Sequence, residues 1–224
     1  MIRFLSVAVL LATSPAPAQD GPRRFDVGRF DAVELASADR VRILPGTAVS
    51  VIADGDPRAV AALAITVRNG TLSVGRTPGI HRGRGATVTV TMPSLRAASL
   101  SGSGSIGVNG VAAPAFVGRL GGSGSMALAG LKAASVRLDL SGSGSIAANG
   151  TADTLAIRLG GSGQIDTRRL ATPALTVDLG GSGAVAAAAS RTAVVIAGGS
   201  GSVRVTGGPR CTVRKSGSAS VRCA

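Results

Sequence analysis

The sequence predicts an all-β fold, a parallel β-helix or two-sheet β-solenoid of about seven coils turned by Gly-Ser-Gly segments. Three observations lead to this prediction: a repeated phrase, a nearly constant repeat length, and apolar residues at alternate positions on both sides of the phrase. The phrase is clearest at 140–146, Leu-Ser-Gly-Ser-Gly-Ser-Ile, and edited copies follow one another from residue 100 to residue 221.

The repeat length is counted from the glycine before the middle serine. Successive glycines are separated by 20, 20, 19, 20, 18 and 18 residues, a period typical of stacked solenoids. These turn glycines are Gly102, Gly122, Gly142, Gly161, Gly181, Gly199 and Gly217. We expect glycine here for two reasons: it tolerates positive φ, and it lacks the Cβ that would keep neighbouring turns apart.

Both flanks of each turn alternate in hydrophobicity as half-buried strands do. Apolar residues lie two and six positions before the turn glycine and four and six positions after it. The column six positions before holds Phe116, Val136, Leu155, Leu175, Ala193 and Cys211. The near-constant period favours parallel coils stacked in register, about 4.8 Å apart, over antiparallel hairpins.

Charges alternate three positions before the turn glycine. The series is Arg119, Asp139, Arg158 and Asp178. Stacked coils would place these opposite charges over one another, and each pair would contribute about 0.2–1 kcal/mol. This charge ladder is therefore evidence for the predicted register of the coils, and it is expected to add little to the free energy of unfolding.

The domain organisation follows from the first residues. Arg3, an apolar run over 4–12 and Ala-Pro-Ala at 16–18 predict a signal peptide over 1–18. Residues 19–24 are expected to form a disordered lead-in, and 25–224 a single β-solenoid domain without a transmembrane segment. We therefore expect an exported protein, in the periplasm or at the cell surface.

The solenoid is predicted to have three parts: irregular strands over 25–92, Gly-Ser-Gly coils over 93–210 and a capped last coil over 211–224. The short strands expected in the first part are 25–35, 40–44, 49–53, 65–68, 71–74 and 87–92. Residues 57–64 are expected to form one or two helical turns.

The two cysteines lie symmetrically about the last turn. Cys211 is six residues before Gly217 and Cys223 six residues after it, so both fall in inward columns. In an oxidising compartment we expect them to form a disulfide that caps the last coil. Packed sheets lie about 10 Å apart and a disulfide needs Cα atoms within about 7 Å, so the last coil would have to narrow.

The chain is strongly basic, with a formal net charge of +13. Anionic envelope polymers are therefore expected partners, and the alternative is that the charge only keeps the protein soluble. Arg76, His81, Arg82 and Arg84 form the densest basic segment, a candidate anionic-ligand loop whose alternative interpretation is a solvated loop.

Residues that carry chemistry are scarce. His81 is the only histidine, which excludes Ser-His-Asp triads and histidine-based zinc sites. Residues 102–107 match the Gly-x-Gly-x-x-Gly motif of dinucleotide-binding proteins, but no helical pattern follows them as that motif requires. We therefore expect no cofactor. Tyrosine and tryptophan are absent, so nucleic-acid bases would find few aromatic partners. We predict no catalytic, cofactor or metal residues.

A serine directly follows each turn glycine. This column is Ser103, Ser123, Ser143, Ser162, Ser182, Ser200 and Ser218. One interpretation is structural, that small serines form local hydrogen bonds in tight turns. The other is functional, a ridge of hydroxyls that contacts a glycan or a surface.

The motif set resembles a known family. Val-Thr-Val-Thr-Met-Pro-Ser-Leu at 88–95, Ala-Ser-Leu-Ser-Gly-Ser-Gly at 98–104 and the repeated coils resemble the putative auto-transporter adhesin, head GIN domain family. The resemblance covers about residues 25–206. It implies a right-handed β-solenoid shaped like pectin lyases and a cell-adhesion role without established catalytic residues.

The leading hypothesis is therefore a non-enzymatic, exported scaffold for adhesion or interaction, with glycans, anionic envelope polymers or another surface protein as partner. The alternative is a polysaccharide-binding or polysaccharide lyase-like protein, which would need an acid or basic cluster in a groove on one sheet face. A third hypothesis is a passive periplasmic binding or envelope-stress component.

Overall fold

The computed structural model describes residues 21–77 and 85–224, so the predicted signal peptide lies outside the described residues. The described part contains nineteen strands and one short helix. The elements are β1 Arg23–Phe25, β2 Ala32–Leu35, β3 Arg40–Pro45, β4 Ser50–Gly55, α1 Pro57–Ala61, β5 Leu63–Arg68, β6 Thr71–Arg76, β7 Ala86–Met92, β8 Ala97–Leu100, β9 Ser105–Asn109, β10 Ala112–Leu120, β11 Ser125–Leu140, β12 Ser145–Leu159, β13 Gln164–Ala171, β14 Ala174–Leu179, β15 Ala184–Ala188, β16 Thr192–Ala197, β17 Ser202–Thr206, β18 Arg210–Lys215 and β19 Ser220–Cys223.

The strands stack into two parallel faces, which confirms the predicted β-solenoid. The first face runs in the order β6, β2, β8, β10, β11, β12, β14, β16 and β18. The second face runs in the order β7, β3, β9, β11, β12, β13, β15, β17 and β19. Strands β11 and β12 are long enough to belong to both, because each continues from the second face onto the first.

The register is the one that the repeat predicts. Phe116 pairs with Val136, Val136 with Leu155, and so on through the same column to Cys211. Residues in the inward columns between the ends are almost fully buried, while the residues between them face outward. A continuous core therefore runs between the two faces along the whole stack.

The N-terminal strands do not stack in sequence order. The layer of β2 and β3 lies between the layer of β6 and β7 and that of β8 and β9. The strand predicted over 25–35 is two strands, β1 and β2, and β1 begins at Arg23, within the expected lead-in. The chain reverses at Asn69-Gly70, where φ is 50° and 71°, so β5 pairs antiparallel with β6 as in a type I′ hairpin.

Antiparallel strands and a helical turn cover this end of the stack. Strand β4 pairs antiparallel with β7, and β1 pairs antiparallel with β4. The expected helical segment forms one turn, α1, whose first N–H groups at Arg58 and Ala59 donate to the Asp56 carboxylate. No helix of the described residues is long and apolar enough to cross a membrane.

The other end of the stack is held by a disulfide. Cys211 on β18 bonds to Cys223 on β19, and their Cα atoms are 6.6 Å apart. This is less than the usual 10 Å or so between packed sheets, so the faces converge in the last coil. Val213 in the same coil occupies an inward position yet is 42% exposed, because no described residue covers it.

Candidate functional site

The stacked turns form a groove along one edge of the solenoid. Its volume is about 700 Å³, and we call it the serine groove. Its lining comprises the Ser-Gly-Ser segments at 103–105, 123–125 and 143–145, Ser-Gly-Gln at 162–164, and residues 38–40 and 85–87 at one end. The central glycines are buried, and the residues that flank them are exposed or half-buried. Glycine backbone therefore forms the floor, and hydroxyl side chains form the walls.

Contact between neighbouring turns explains the glycines. A Cβ on Gly122 would lie 2.5 Å from the carbonyl oxygen of Gly102, and one on Gly124 would lie 2.7 Å from Cδ2 of Leu100. The turn backbones bond directly, since the Gly124 N–H donates to the Gly102 carbonyl at 3.0 Å. Of the seven turn glycines only Gly199 and Gly217 have positive φ. The positive-φ explanation is thus wrong for the first five, which are required because a side chain would collide with the coil below.

The wall hydroxyls make almost no bonds within the chain. Among the described serine and threonine side chains that line the serine groove, only that of Ser105 forms a hydrogen bond, which it accepts from Nε of Arg40 at 3.4 Å. Backbone bonds hold the turns, so local serine hydrogen bonding does not explain the column. The result is two lines of free hydroxyls, repeated about every 4.8 Å along the groove.

A buried carboxylate lies near the N-terminal end of the serine groove. Asp39 is 1% exposed and accepts hydrogen bonds from Nε of Arg76 at 2.9 Å, Nη2 of Arg76 at 2.6 Å and the Ala86 N–H at 2.8 Å. The Ser37 hydroxyl donates a further bond at 2.8 Å. Burial raises the pKa of Asp39, but the bonds from Arg76, Ala86 and Ser37 outweigh burial and leave that pKa below its ordinary value.

The candidate anionic-ligand loop is only partly described. Arg76 is bound to Asp39, and its hydrogen bond to that carboxylate raises the pKa of the guanidinium. Arg76 therefore has a structural partner within the chain. His81, Arg82 and Arg84 lie outside the described residues.

The charge ladder lies in one outward column. Arg119 is in register with Asp139, Asp139 with Arg158, and Arg158 with Asp178. Asp139 is 3.9 Å from Arg119 but 2.9 Å from Arg137 on its own strand. Among the described residues, no other oppositely charged pair of the ladder comes within 4 Å. The charge ladder therefore agrees with the strand register, but it supplies only one long ion pair, between Arg119 and Asp139.

A second groove, on the second face near the C-terminal end, was not predicted. It encloses about 490 Å³, and its charged lining is Asp166, Arg168, Arg204 and Arg222. Arg168 donates to Asp166 through Nη2 at 2.6 Å and Nε at 3.0 Å, which lowers the pKa of Asp166 and raises that of Arg168. The signal was available, since Asp166, Arg204 and Arg222 each lie five positions after a turn glycine.

This ion pair is poorly suited to proton transfer. A general acid needs a raised carboxyl pKa and a general base a lowered guanidinium pKa, and both shifts here have the opposite sign. Within the described ranges, no three His, Cys, Asp or Glu side chains are grouped as metal ligands would be.

Comparisons with known proteins give a family and a fold. A family model described as "Putative auto-transporter adhesin, head GIN domain" matches residues 29–209. A putative adhesin from Bacteroides fragilis has a TM-score of 0.84 at 19% identity, covering 91% of this chain and 96% of its own. A putative lipid binding protein from Parabacteroides distasonis scores 0.73 at 19% identity, with the same coverage of 91% and 96%. A putative adhesin from Parabacteroides merdae scores 0.66 at 16% identity, covering 91% and 95%. No curated protein matches the chain.

Proposed function

The chain belongs to the head GIN domain family of putative auto-transporter adhesins, and we propose that it is a non-enzymatic adhesion module. Its proposed ligands are neutral glycans, bound in the serine groove. The observation that supports this proposal is the pair of free hydroxyl lines along the groove. Hydroxyls both donate and accept hydrogen bonds, as the hydroxyls of a sugar do.

The shape of the groove favours a linear ligand. Six layers contribute to the lining, from 85–87 to 162–164, so the groove extends over roughly 24 Å at the usual strand spacing. The Ser-Gly-Ser pattern recurs in three successive layers and its first serine in a fourth, as the sugars of a polymer recur along its length. A hydrogen bond contributes about 0.5–1.5 kcal/mol net, so useful affinity requires contacts with several coils at once.

The charges of the groove favour a neutral ligand. Asp39 is neutralised by Arg76 and is buried, which leaves Arg40 as the one exposed charge among the described lining residues. A polyanion would gain little along the Ser-Gly-Ser segments, because these carry no cation. Neutral polysaccharide therefore fits the groove better than an anionic polymer.

Export is part of the proposal. The apolar run over 4–12 and the Ala-Pro-Ala at 16–18 have the pattern of a secretory signal. The Cys211–Cys223 disulfide is typical of proteins in oxidising compartments. Both observations support a location in the periplasm or on the cell surface.

Glycan binding by paired variants tests the proposal. The purified protein is assayed against neutral β-glucan, mannan and chitin oligosaccharides and against polygalacturonate, at low and high salt, with product release followed in the same samples. We expect saturable binding of a neutral glycan that persists at high salt and releases no product.

The test variant is Ser123→Ala with Ser143→Ala, and the control is Ser135→Ala with Ser190→Ala, two exposed serines outside the groove. The groove variant should bind at least about fivefold more weakly, since two hydrogen bonds are lost, and the control should bind as the parent does. Equal binding by both variants would contradict the proposal, and release of unsaturated sugars from polygalacturonate would favour the lyase alternative.

A further inference from the structure

We propose that Arg204 and Arg222 form a binding site for a phosphate group on the second face, separate from the serine groove. The register pairs these two arginines directly on the neighbouring strands β17 and β19. Both side chains are exposed and line the same groove. Their backbones are therefore about 4.8 Å apart, with both guanidinium groups on one side of the sheet.

This arrangement lacks an intramolecular counter-charge. Like charges at directly paired positions destabilise a sheet. Within the described residues, no carboxylate lies within 4 Å of either guanidinium, and neither group has a hydrogen-bond acceptor. After Asp178 the sequence contains six cations and no Asp or Glu: Arg191, Arg204, Arg210, Arg214, Lys215 and Arg222. A bound anion would remove this repulsion.

The neighbouring side chains leave room for such an anion. Below Arg204 in the same column is Ala186, whose methyl group is small, and below Ala186 is Asp166. Asp166 is held by two bonds from Arg168, so its charge is already matched. Ser202 and Ser220 form the adjacent outward column and line the same groove. Two arginines and two serines thus line one groove.

Phosphate fits this donor set better than other anions. A guanidinium presents a planar pair of N–H donors that binds two oxygens of a phosphate, and arginine stays charged at all working pH values. A phosphate has enough oxygens to accept from two such groups and from the serine hydroxyls as well. The shared chemistry is that of a phosphate ester or diester, whether on a lipid headgroup or on a soluble molecule.

Titration with inorganic phosphate tests the site. The full mature chain is titrated with phosphate in a calorimeter at constant ionic strength, and its melting temperature is followed in phosphate and in chloride. Phosphate should raise the melting temperature of the parent protein, because a ligand that binds only the folded state stabilises it. Arg204→Gln and Arg222→Gln should each weaken phosphate binding by about tenfold or more.

Arg191→Gln is the matched control, because it removes one exposed cation from the same region but not from the groove. It should bind phosphate within about twofold of the parent. Arg204→Lys keeps the charge and removes the planar pair of donors, so binding should still weaken severalfold. Equal losses in Arg191→Gln and Arg204→Gln, or no binding by the parent, would overturn the site.

Vesicles distinguish the sources of phosphate. The parent and Arg222→Gln are floated with vesicles of phosphatidylcholine alone or mixed with phosphatidylglycerol. Retention of the parent alone on the anionic vesicles identifies a lipid headgroup, whereas phosphate binding without retention identifies a soluble phosphate. The Ser123→Ala, Ser143→Ala variant should bind phosphate normally, so a failure of this site and a failure of the serine groove are separable.

Discussion

Gly160 and Gly161 are adjacent in one turn, yet only one of them needs to be glycine. A Cβ on Gly161 would lie 2.7 Å from the backbone nitrogen of Gly142 in the coil below. A Cβ on Gly160 would meet nothing within 4 Å, and neither residue has a positive φ. The difference between them isolates the cost of coil contact from the general cost of replacing glycine.

Gly161→Ala should therefore lower the free energy of unfolding by about 3 kcal/mol, because the coils must separate to admit the methyl group. Gly160→Ala should change it by no more than about 0.5 kcal/mol. Urea denaturation followed by circular dichroism measures both. If the two variants lost the same stability, close contact between turns would not be the reason for the glycine column.

Asp39 is the second residue whose role the structure makes specific. Its pKa is lower in the folded chain than the ordinary value of 3.8, so its contribution to stability is complete above that value. The contribution is lost as the pH falls through the lower, folded pKa. Stability should therefore fall on acidification below about pH 4.

Asp39→Asn should lower the free energy of unfolding by about 3–5 kcal/mol near neutral pH, because Arg76 would lose its buried partner. It should also flatten the acid dependence below about pH 4, which urea melts between pH 2 and pH 7 measure. Asp31→Asn is the control, since its pair with Arg96 is about half exposed and should contribute about 1 kcal/mol or less. If the free energy of unfolding of Asp39→Asn fell with acidification as steeply as that of the parent, Asp39 would not be the cause of the acid dependence.

Among the elements, the last coil depends most on a covalent bond. Strands β18 and β19 each have one parallel neighbour, and most of their side chains are exposed. The disulfide joins them across a separation of 12 residues. Closing a loop of that size stabilises the folded state by about 3 kcal/mol in the chain-entropy account.

Replacing both cysteines by serine should unfold the last coil first. Hydrogen exchange should show faster exchange over 210–224 and unchanged protection in β11 and β12, because coils contact only their neighbours. A reducing agent should have the same effect on the parent protein and none on the double variant. Loss of protection throughout the stack would show that the last coil is essential to the whole solenoid.

The regular coils could be predicted from the sequence, whereas the arrangement of the N-terminal strands could not. The column from Phe116 to Cys211 was predictable, because parallel stacking gives equivalent residues of successive coils the same buried environment. Apolar residues therefore recur in the sequence at a nearly constant spacing. The position of β2 and β3 within the stack was not, because no repeat relates the first strands to the coils. The Arg76–Asp39 pair was missed for the same reason, as it joins two irregular segments 37 residues apart.

The serine groove itself was predicted only in part. The hydroxyl column follows from the repeat, but whether its hydroxyls are used inside the turns does not follow from the sequence. The structure decides this, because backbone bonds between stacked turns leave the side chains unused. The pairing of Arg204 with Arg222 could have been predicted by comparing the residues five positions after each turn glycine. That column was overlooked because it faces outward and is not apolar.

At the scale of the whole molecule, the two grooves differ in chemistry and position. The serine groove follows the turn edge, and its described lining has a single exposed charge, Arg40. The second groove lies on a face near the C-terminal end and carries Arg204 and Arg222, which form no ion pair with any described residue. One stack can therefore present a nearly neutral groove over six of its layers and a cationic site close to its C-terminal end. Adhesion through several weak contacts is consistent with that design.

The most direct test of the glycan proposal is hydrogen exchange of the full mature chain with and without the neutral glycan that binds it best. If the glycan binds in the serine groove, exchange should slow over 101–105, 121–125, 141–145 and 160–164, the turns that line it. Protection that appeared only on the second face, over 202–206 and 220–223, or no change in any turn, would contradict the claim that the serine groove is the binding site.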